Sequence, residues 1–230
     1  MQTVDTFSKF IEGTFVKELR NRFLCEVLID GVSTVCYVPS SCHLSNFLQL
    51  EGKKVLLIPT QAPNSRTQYA LFAVPFKRNY IILNTSMANR AIENSIQGKR
   101  FSSLGSRKDI LKEHTVEGYK ADLYIPLTKT IVEVKSIISV SNNAEFPTVY
   151  SERTIKQLKQ IYQLLHKGYK VYFVIVSLHP YIKNVTINKA SEFYSELKNC
   201  LDAGMTIKAY TSRLKNYNLS IDKEINIIYT

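Results

Sequence analysis

One aspartate and one Glu-Val-Lys triplet have residue types and a spacing that could do chemistry. Asp122 is followed eleven residues later by Glu133-Val134-Lys135. Side chains alternate along a strand, so Glu133 and Lys135 would share one face, and a hairpin would bring Asp122 beside them. Two adjacent carboxylates repel each other unless a cation lies between them, and hard divalent ions prefer oxygen ligands. Asp122 and Glu133 are therefore candidate metal-binding residues, and Val134, which follows Glu133, is the third candidate.

The chemistry that such a group could perform is hydrolysis of a phosphodiester. Mg²⁺ or Mn²⁺ would neutralise charge on the phosphate, and Lys135 could orient or deprotonate a metal-bound water. The alternative is an ordinary edge strand on which Glu133 and Lys135 alternate toward solvent. The apolar neighbours Ile131 and Val132 and the position between two predicted helices favour the catalytic interpretation.

The elements that must position these residues alternate between strands and helices. Ser86 is predicted to cap the first helix and Gly98 to end it. Alternating strands and helices predict an α/β layer structure for residues 83–230. The predicted strands cover 121–125, 130–138, 171–176 and 205–210, and the predicted helices cover 86–97, a segment that begins at 151, and 190–203.

The first 82 residues predict an all-β domain. Short apolar segments between residues 13 and 83 read as five strands and an exit strand, and Asp30-Gly31 is a hairpin turn signal. One short helical piece is predicted over 44–48. This pattern is typical of a small β-barrel, so the fold class is α/β with an all-β N-terminal domain.

The charge of the chain points to a polyanionic partner. Lys and Arg number 30 against 19 Asp and Glu, a net charge of +11, and the parts before and after residue 82 are both basic. Nucleic acid is the polyanion that such proteins most often bind, and a solvated lysine-rich surface is the alternative. A basic loop after the first helix could contact phosphates through Lys99, Arg100, Arg107 and Lys108, unless it is only a mobile loop.

Composition excludes several other classes. A hydrophobic content of 45% is typical of a globular domain, and no apolar run approaches the length of about 18 residues needed to cross a bilayer. The first residues lack the apolar stretch of a signal peptide, so we expect a cytoplasmic protein without a membrane partner. The four cysteines form no CxxC pair, which argues against a structural zinc site.

Four groups of residues occur in an order that resembles the sugar fermentation stimulation protein A family of bacteria and archaea. The resemblance implies an OB-like five-stranded barrel over residues 1–82 and a PD-(D/E)xK nuclease-like domain over 83–230. It also implies DNA binding, with RNA not excluded, a metal-dependent nuclease activity and a regulatory link to sugar use. The groups are Phe15-Val16-Lys17 with Arg22-Phe23-Leu24, Asn84-Thr85 with Ala88-Asn89-Arg90, Asp122 with Glu133-Val134-Lys135-Ser136, and Phe146-Pro147 with Ser151-Glu152-Arg153.

The resemblance assigns roles by position. It matches Asp122 to the metal-binding aspartate of the family and Glu133 with Lys135 to its Glu-x-Lys pair. It matches Glu152 and Arg153 to the Glu-Arg that opens the following helix and Arg22 to the basic residue of the first barrel hairpin. The candidate nucleic-acid-binding residues are Arg22, Arg66, Arg90, Lys99, Arg100, Arg107, Lys108 and Arg153.

The sequence also departs from the family pattern. The first helix of the nuclease-like domain usually carries a glutamate where this chain has Asn94, and Glu93 comes one position earlier. One residue rotates a helical side chain by about 100°. Glu93 is still the candidate for a third catalytic acid, and Thr148 replaces an aspartate of the family. The hypotheses are therefore a Mg²⁺- or Mn²⁺-dependent nuclease, a catalytically silent DNA-binding regulator, and a scaffold that only has a basic surface.

Overall fold

The computed structural model describes residues 10–39, 43–46, 48–60, 65–139, 141–215 and 218–230. Within these residues, the N-terminal part is a closed sheet in the order β3-β2-β1-β4-β5-β6, in which β3 also meets β5 through Tyr37 and Ala70. This closure makes the OB-like five-stranded barrel, with β6 as the exit strand. The strands are β1 (Ile11–Glu18), β2 (Leu24–Ile29), β3 (Val32–Tyr37), β4 (Lys54–Pro59), β5 (Tyr69–Phe76) and β6 (Asn79–Ile82).

Local sequence accounts for the barrel. Asp30 and Gly31 both adopt a positive φ, as the predicted tight hairpin between β2 and β3 requires. Alternate side chains, such as Phe15, Cys25 and Val27, fill the interior. The short helical piece predicted after β3 is a single turn at Leu44–Asn46.

The C-terminal part is a mixed sheet in the order β10-β12-β14-β13-β11-β9-β8-β7. The central strands β9, β11 and β13 are parallel, while β7, β8 and β9 form an antiparallel meander. The elements are α1 (Met87–Gln97), β7 (Leu111–Val116), β8 (Tyr119–Ile125), β9 (Thr130–Ile137), β10 (Asn143–Glu145), α2 (Glu152–His166), β11 (Lys170–Ser177), β12 (Asn184–Ile187), α3 (Glu192–Asp202), β13 (Thr206–Lys215) and β14 (Asn218–Tyr229).

Different helices pack on the two faces of this sheet. Helices α2 and α3 pack on one face through residues such as Ile155 and Phe193. Helix α1 packs on the other face, where Ile92 shares a core with Phe72 of the barrel. The Ile82 amide also donates to the Leu178 carbonyl at 3.0 Å. The barrel is therefore packed directly against the α1 side of the sheet.

Some predicted details were wrong. The Ser86 side chain does not cap α1; the carboxamide oxygen of Asn84 accepts hydrogen bonds from the Ser86 amide and hydroxyl instead. Four strands, β7, β10, β12 and β14, were not predicted, because their apolar residues are few or interrupted by charges. Within the described residues, no helix has both the length and the apolar character needed to span a bilayer.

Candidate active site

Asp122 and Glu133 lie where two strands of a hairpin separate. The β8–β9 ladder ends at the pair Leu123 and Val132, although both strands continue beyond it. The carboxylates occupy the next position on each strand, as the hairpin prediction required. Because β8 and β9 diverge here, the sheet opens at the two acids.

The β8 strand also changes faces at this point. Tyr119 and Ala121 pack in the core under α2, whereas Leu123 and Ile125 pack in the core under α1. Across the strand pair, Glu113 of β7 adopts a left-handed φ of 48°. Such local irregularities re-aim side chains beside functional sites. Here the irregularity turns the Asp122 carboxylate into the gap between β8 and β9.

Asp122 is held by two donors from different elements. Its Oδ1 accepts a hydrogen bond from Asn89 Nδ2 of α1 at 3.0 Å, and its Oδ2 accepts one from the Val134 amide at 2.8 Å. The side chain therefore replaces the missing ladder partner of Val134. Asp122 remains partly exposed, so its carboxylate is both fixed and accessible.

Glu133 is buried, with 1% of the residue exposed. The Tyr119 hydroxyl donates to its Oε2 at 2.5 Å, and Lys135 Nζ lies 2.7 Å from its Oε1. Burial raises the pKa of Glu133, the nearby Asp122 charge adds to the rise, and the Lys135 ammonium opposes it. Burial likewise raises the pKa of Tyr119, so its hydroxyl keeps its proton and acts as a donor.

Lys135 joins this group to helix α2. Its Nζ donates to Gln157 Oε1 at 2.7 Å while it pairs with Glu133, and a fifth of its side chain is exposed. Val134 points to the opposite face, into the core under α1. The predicted alternation along β9 is confirmed, and the ammonium lies at the boundary between the buried carboxylate and solvent.

The donor chemistry of the group fits a hard divalent ion. Asp122 and Glu133 offer carboxylate oxygens, and Val134 can offer its carbonyl oxygen, whereas its N–H has no lone pair for a metal and donates to Asp122. Within the described part of the chain, no group of three or more His, Cys, Asp or Glu side chains is arranged to hold an ion. An ion here would use two carboxylates and complete its shell with carbonyl or water oxygens.

Two clefts meet at Asp122. The first, the α1 cleft, has a volume of about 580 Å³ and is lined by Asn89, Arg90, Glu93 and Lys112 among others. The second, the α2 cleft, has a volume of about 650 Å³ and is lined by residues that include Tyr119, Glu152, Arg153, Lys156 and Gln157. Asp122 and Glu113 line both clefts. The partly exposed carboxylate is thus the junction between them.

Comparison with known families decides where the chain belongs. Residues 86–218 match the family model described as the sugar fermentation stimulation protein RE domain, and residues 19–83 match the SfsA N-terminal OB domain. The chain belongs to the sugar fermentation stimulation protein family. A homologue from Ruminiclostridium cellulolyticum is 26% identical over 223 residues, which cover 94% of this chain and 96% of the relative. A homologue from Methanobrevibacter smithii is 25% identical over 216 residues, covering 87% and 90%.

A solved structure shares the fold of this family member. SfsA of Pyrococcus furiosus, in complex with Ca²⁺, is 19% identical, and the two structures superpose with a TM-score of 0.77 over 96% of each chain. The prediction of an OB-like barrel followed by an α/β domain is confirmed, as is the resemblance to the family.

Glu93 and Asn94, which are adjacent on α1, have different surroundings. Glu93 lies one turn after Asn89 on α1, lines the same cleft, and its Oε1 is 3.3 Å from Lys112 Nζ. Asn94 donates to the Asn218 side chain and to the Leu219 carbonyl, both at 2.8 Å. Asn94 thus connects α1 to β14. Glu93 lines the α1 cleft and is paired there with Lys112.

Of the eight predicted nucleic-acid-binding residues, Arg90 and Arg153 line the clefts at Asp122. On the barrel, Arg22 stacks over Phe23 at 4.8 Å and Arg66 is exposed. Arg100 donates to the Asp222 carbonyl. The other three are exposed in the segment after α1: Lys99, Arg107 and Lys108.

Three residues of the site were missed as functional candidates: Asn89, Tyr119 and Gln157. Each donates to, or accepts from, one of the predicted residues. Asn89 belongs to the Ala-Asn-Arg group on which the resemblance rests, which was a signal for a role. Tyr119 and Gln157 carry no such signal, because tyrosines on strands and glutamines on helices are common.

Proposed function

We propose that this member of the family is a metal-dependent phosphodiesterase that cuts DNA with little sequence preference. The observation that carries the proposal is the placement of Asp122 next to buried Glu133 at the opening of the sheet, with Lys135 2.7 Å from Glu133. The order Asp, Glu-x-Lys is that of the PD-(D/E)xK nucleases, which the sequence resembles. Metal-assisted hydrolysis of a phosphodiester can use the carboxylates to hold the ion and the ammonium to orient the attacking water.

Each residue has a distinct part in the proposed reaction. Asn89 and the Val134 amide fix the orientation of Asp122, and Tyr119 fixes that of Glu133. Mg²⁺ or Mn²⁺ held by the two carboxylates would supply charge neutralisation at the phosphate. The Lys135 ammonium, at the edge of solvent, is placed to orient the attacking water. A relative solved with Ca²⁺ supports an affinity of this fold for hard divalent ions.

The basic surface supports DNA as the substrate. The net charge is +11, and Arg90 and Arg153 lie on the two sides of Asp122. Phosphate contacts release counterions, so affinity should fall steeply as salt increases. No recognition-helix motif is evident in the sequence, and phosphate contacts carry no sequence information, so affinity should vary little between DNA sequences.

The test is cleavage of labelled single- and double-stranded DNA with Mg²⁺, Mn²⁺ or EDTA. We expect cleavage with the ions, none with EDTA, and none for Asp122→Asn, which keeps the shape of the side chain. Asp202→Asn is the matched control, because Asp202 is an exposed acid whose partner is Lys198 on α3. No cleavage by wild type with either ion would refute the nuclease, as would full activity of Asp122→Asn.

A second function is supported by the same geometry. Lys135 already occupies the position of a cation beside Glu133, and Asn94, which replaces an acid of the family, is bonded to β14. A catalytically silent DNA-binding regulator would retain both features, and the names of the relatives connect the family with sugar fermentation. Calorimetric Mn²⁺ titration separates the two, since the regulator would bind DNA without binding the ion at millimolar concentration.

A further inference from the structure

The two clefts at Asp122 follow helices on opposite faces of the sheet. The α1 cleft runs beside α1, which packs on the barrel side, and the α2 cleft runs beside α2 on the other side. They join where β8 and β9 separate, at the junction formed by Asp122 and Glu113. The candidate scissile phosphate would therefore lie between two clefts, not at the end of one.

The length of each cleft allows several nucleotides on each side. Along its helix, the α1 cleft is lined from Met87 to Gln97, which is ten helical steps, and the α2 cleft from Glu152 to Gln160, which is eight. At 1.5 Å per step, the clefts extend about 15 Å and about 12 Å along their helices. A stacked strand rises about 3.4 Å per nucleotide, so about three nucleotides or more fit on each side of Asp122.

Both clefts carry cations that can contact phosphates. Arg90 and Lys112 line the α1 cleft, and Arg153 and Lys156 line the α2 cleft. An enzyme that removes terminal nucleotides needs a wall or an end-binding group on one side of the cleaved bond. In this chain, the two sides are lined alike: each has a helix with an arginine near its start, a lysine, and a glutamate, Glu93 on α1 and Glu152 on α2.

We propose that the chain cuts within a strand, with a continuous DNA strand lying in the α1 cleft, across Asp122 and in the α2 cleft. This inference rests on the proposed nuclease function and adds the substrate class, which is DNA without free ends. Water is the co-substrate: its oxygen forms the new bond to phosphorus while one bridging P–O bond breaks. The leaving oxygen takes up a proton, so that a circle yields one linear strand with a phosphate and a hydroxyl end.

The decisive substrate pair is a covalently closed single-stranded circle and a linear strand of the same sequence. With Mn²⁺, we expect wild type to convert the circle first to a full-length linear strand, and Asp122→Asn to leave it intact. Degradation of the linear strand with survival of the circle would overturn the inference but leave the nuclease function standing. Survival of both substrates would refute the nuclease function, and the inference with it.

A binding measurement tests the two clefts separately. In the Asp122→Asn background, Lys112→Gln and Lys156→Gln should each reduce the salt dependence of circle binding by about one unit of slope, the change for one lost phosphate contact. Lys189→Gln is the matched control, because Lys189 is exposed between β12 and α3, away from both clefts. If only one of the two cleft variants changes the slope, the strand does not cross Asp122, and the inference is wrong.

Discussion

Two glutamates, one in the barrel and one in the α/β domain, differ in the groups that stabilise their charge. Glu18 of β1 accepts hydrogen bonds from the Leu44 and Ser45 amides at 2.7 and 3.0 Å. Glu133 of β9 relies on the side chains of Tyr119 and Lys135 and lies beside a second carboxylate. Backbone amides are fixed donors, whereas a lysine can move away and be replaced by another cation.

The pKa values of the two glutamates shift in opposite directions. Burial tends to raise the pKa of Glu18, but the Ser45 and Leu44 amides outweigh it, and the pKa lies below its ordinary value of 4.5. Burial raises the pKa of Glu133 above 4.5, and Lys135 only partly compensates. The barrel glutamate is therefore a satisfied structural anion. The glutamate of the site lacks sufficient positive charge, which a divalent ion would supply.

The largest expected effect is that of Glu133→Gln on cleavage. The substitution keeps the shape of the side chain and removes the charge that would hold the ion, so we expect cleavage to fall at least about 100-fold, the scale of a lost electrostatic contact in catalysis. Stability should change little, since the substitution removes a buried charge but also removes the charge partner of the partly exposed Lys135. Cleavage assays beside chemical denaturation measure both. If the variant still cleaved DNA at the wild-type rate, Glu133 would have no role in catalysis.

Lys135→Ala should separate metal binding from turnover. Lys135 would act on the water and not on the ion, so we expect Mn²⁺ binding to persist while cleavage falls by about 10²- to 10⁴-fold, the range for proton transfer by a side chain. Calorimetric titration of the variant beside the cleavage assay gives the two readouts. Loss of Mn²⁺ binding together with cleavage would indicate that the lysine only supports the fold of the site.

Glu18→Ala should affect stability and leave cleavage unchanged. The variant removes the acceptor of two backbone amides, and a hydrogen bond to a charged group contributes about 1.5 to 3 kcal/mol. We expect the free energy of unfolding to fall by about 2 kcal/mol, measured by urea denaturation. Glu12→Ala is the control, because Glu12 also lies on β1 but is exposed and pairs with the exposed Lys54. Equal effects of the two variants would contradict the structural role of Glu18.

The sequence predicted the hairpin of the site because its signals are local. Leu123, Ile125, Val132 and Val134 alternate with the period of a strand, and a turn separates the two strands. The same reasoning placed Glu133 and Lys135 on one face. These predictions need only the geometry of a strand.

The rest of the site depends on contacts that local sequence does not encode. Tyr119 reaches Glu133 only because β8 changes faces at Asp122, and Gln157 reaches Lys135 only because α2 packs on this face of the sheet. The edge strand β7 was missed because Leu111 to Thr115 are all exposed, so no apolar face marks it. The predicted cap by Ser86 does not form, because the Ser86 hydroxyl donates to the Asn84 side chain instead of accepting a hydrogen bond from α1.

The smallest expected effect is a difference in how stability depends on pH when measured in EDTA. Because the folded chain raises the pKa of Glu133, it binds more protons than the unfolded chain between pH 4.5 and that higher value. The contribution of Glu133 is complete below this window and is lost as the pH rises through it. Glu18 behaves in the opposite way, because its lowered pKa makes its contribution disappear as the pH falls below 4.5.

The two Gln variants isolate these contributions. Relative to wild type, Glu133→Gln should gain stability as the pH rises above 4.5, whereas Glu18→Gln should show its deficit above 4.5 and lose it in acid. Neither difference can exceed a slope of about 1.4 kcal/mol per pH unit, the limit for one proton. Urea denaturation across the pH range measures both curves. Parallel curves would mean that the two glutamates have the same electrostatic surroundings, and the contrast between the barrel and the site would fail.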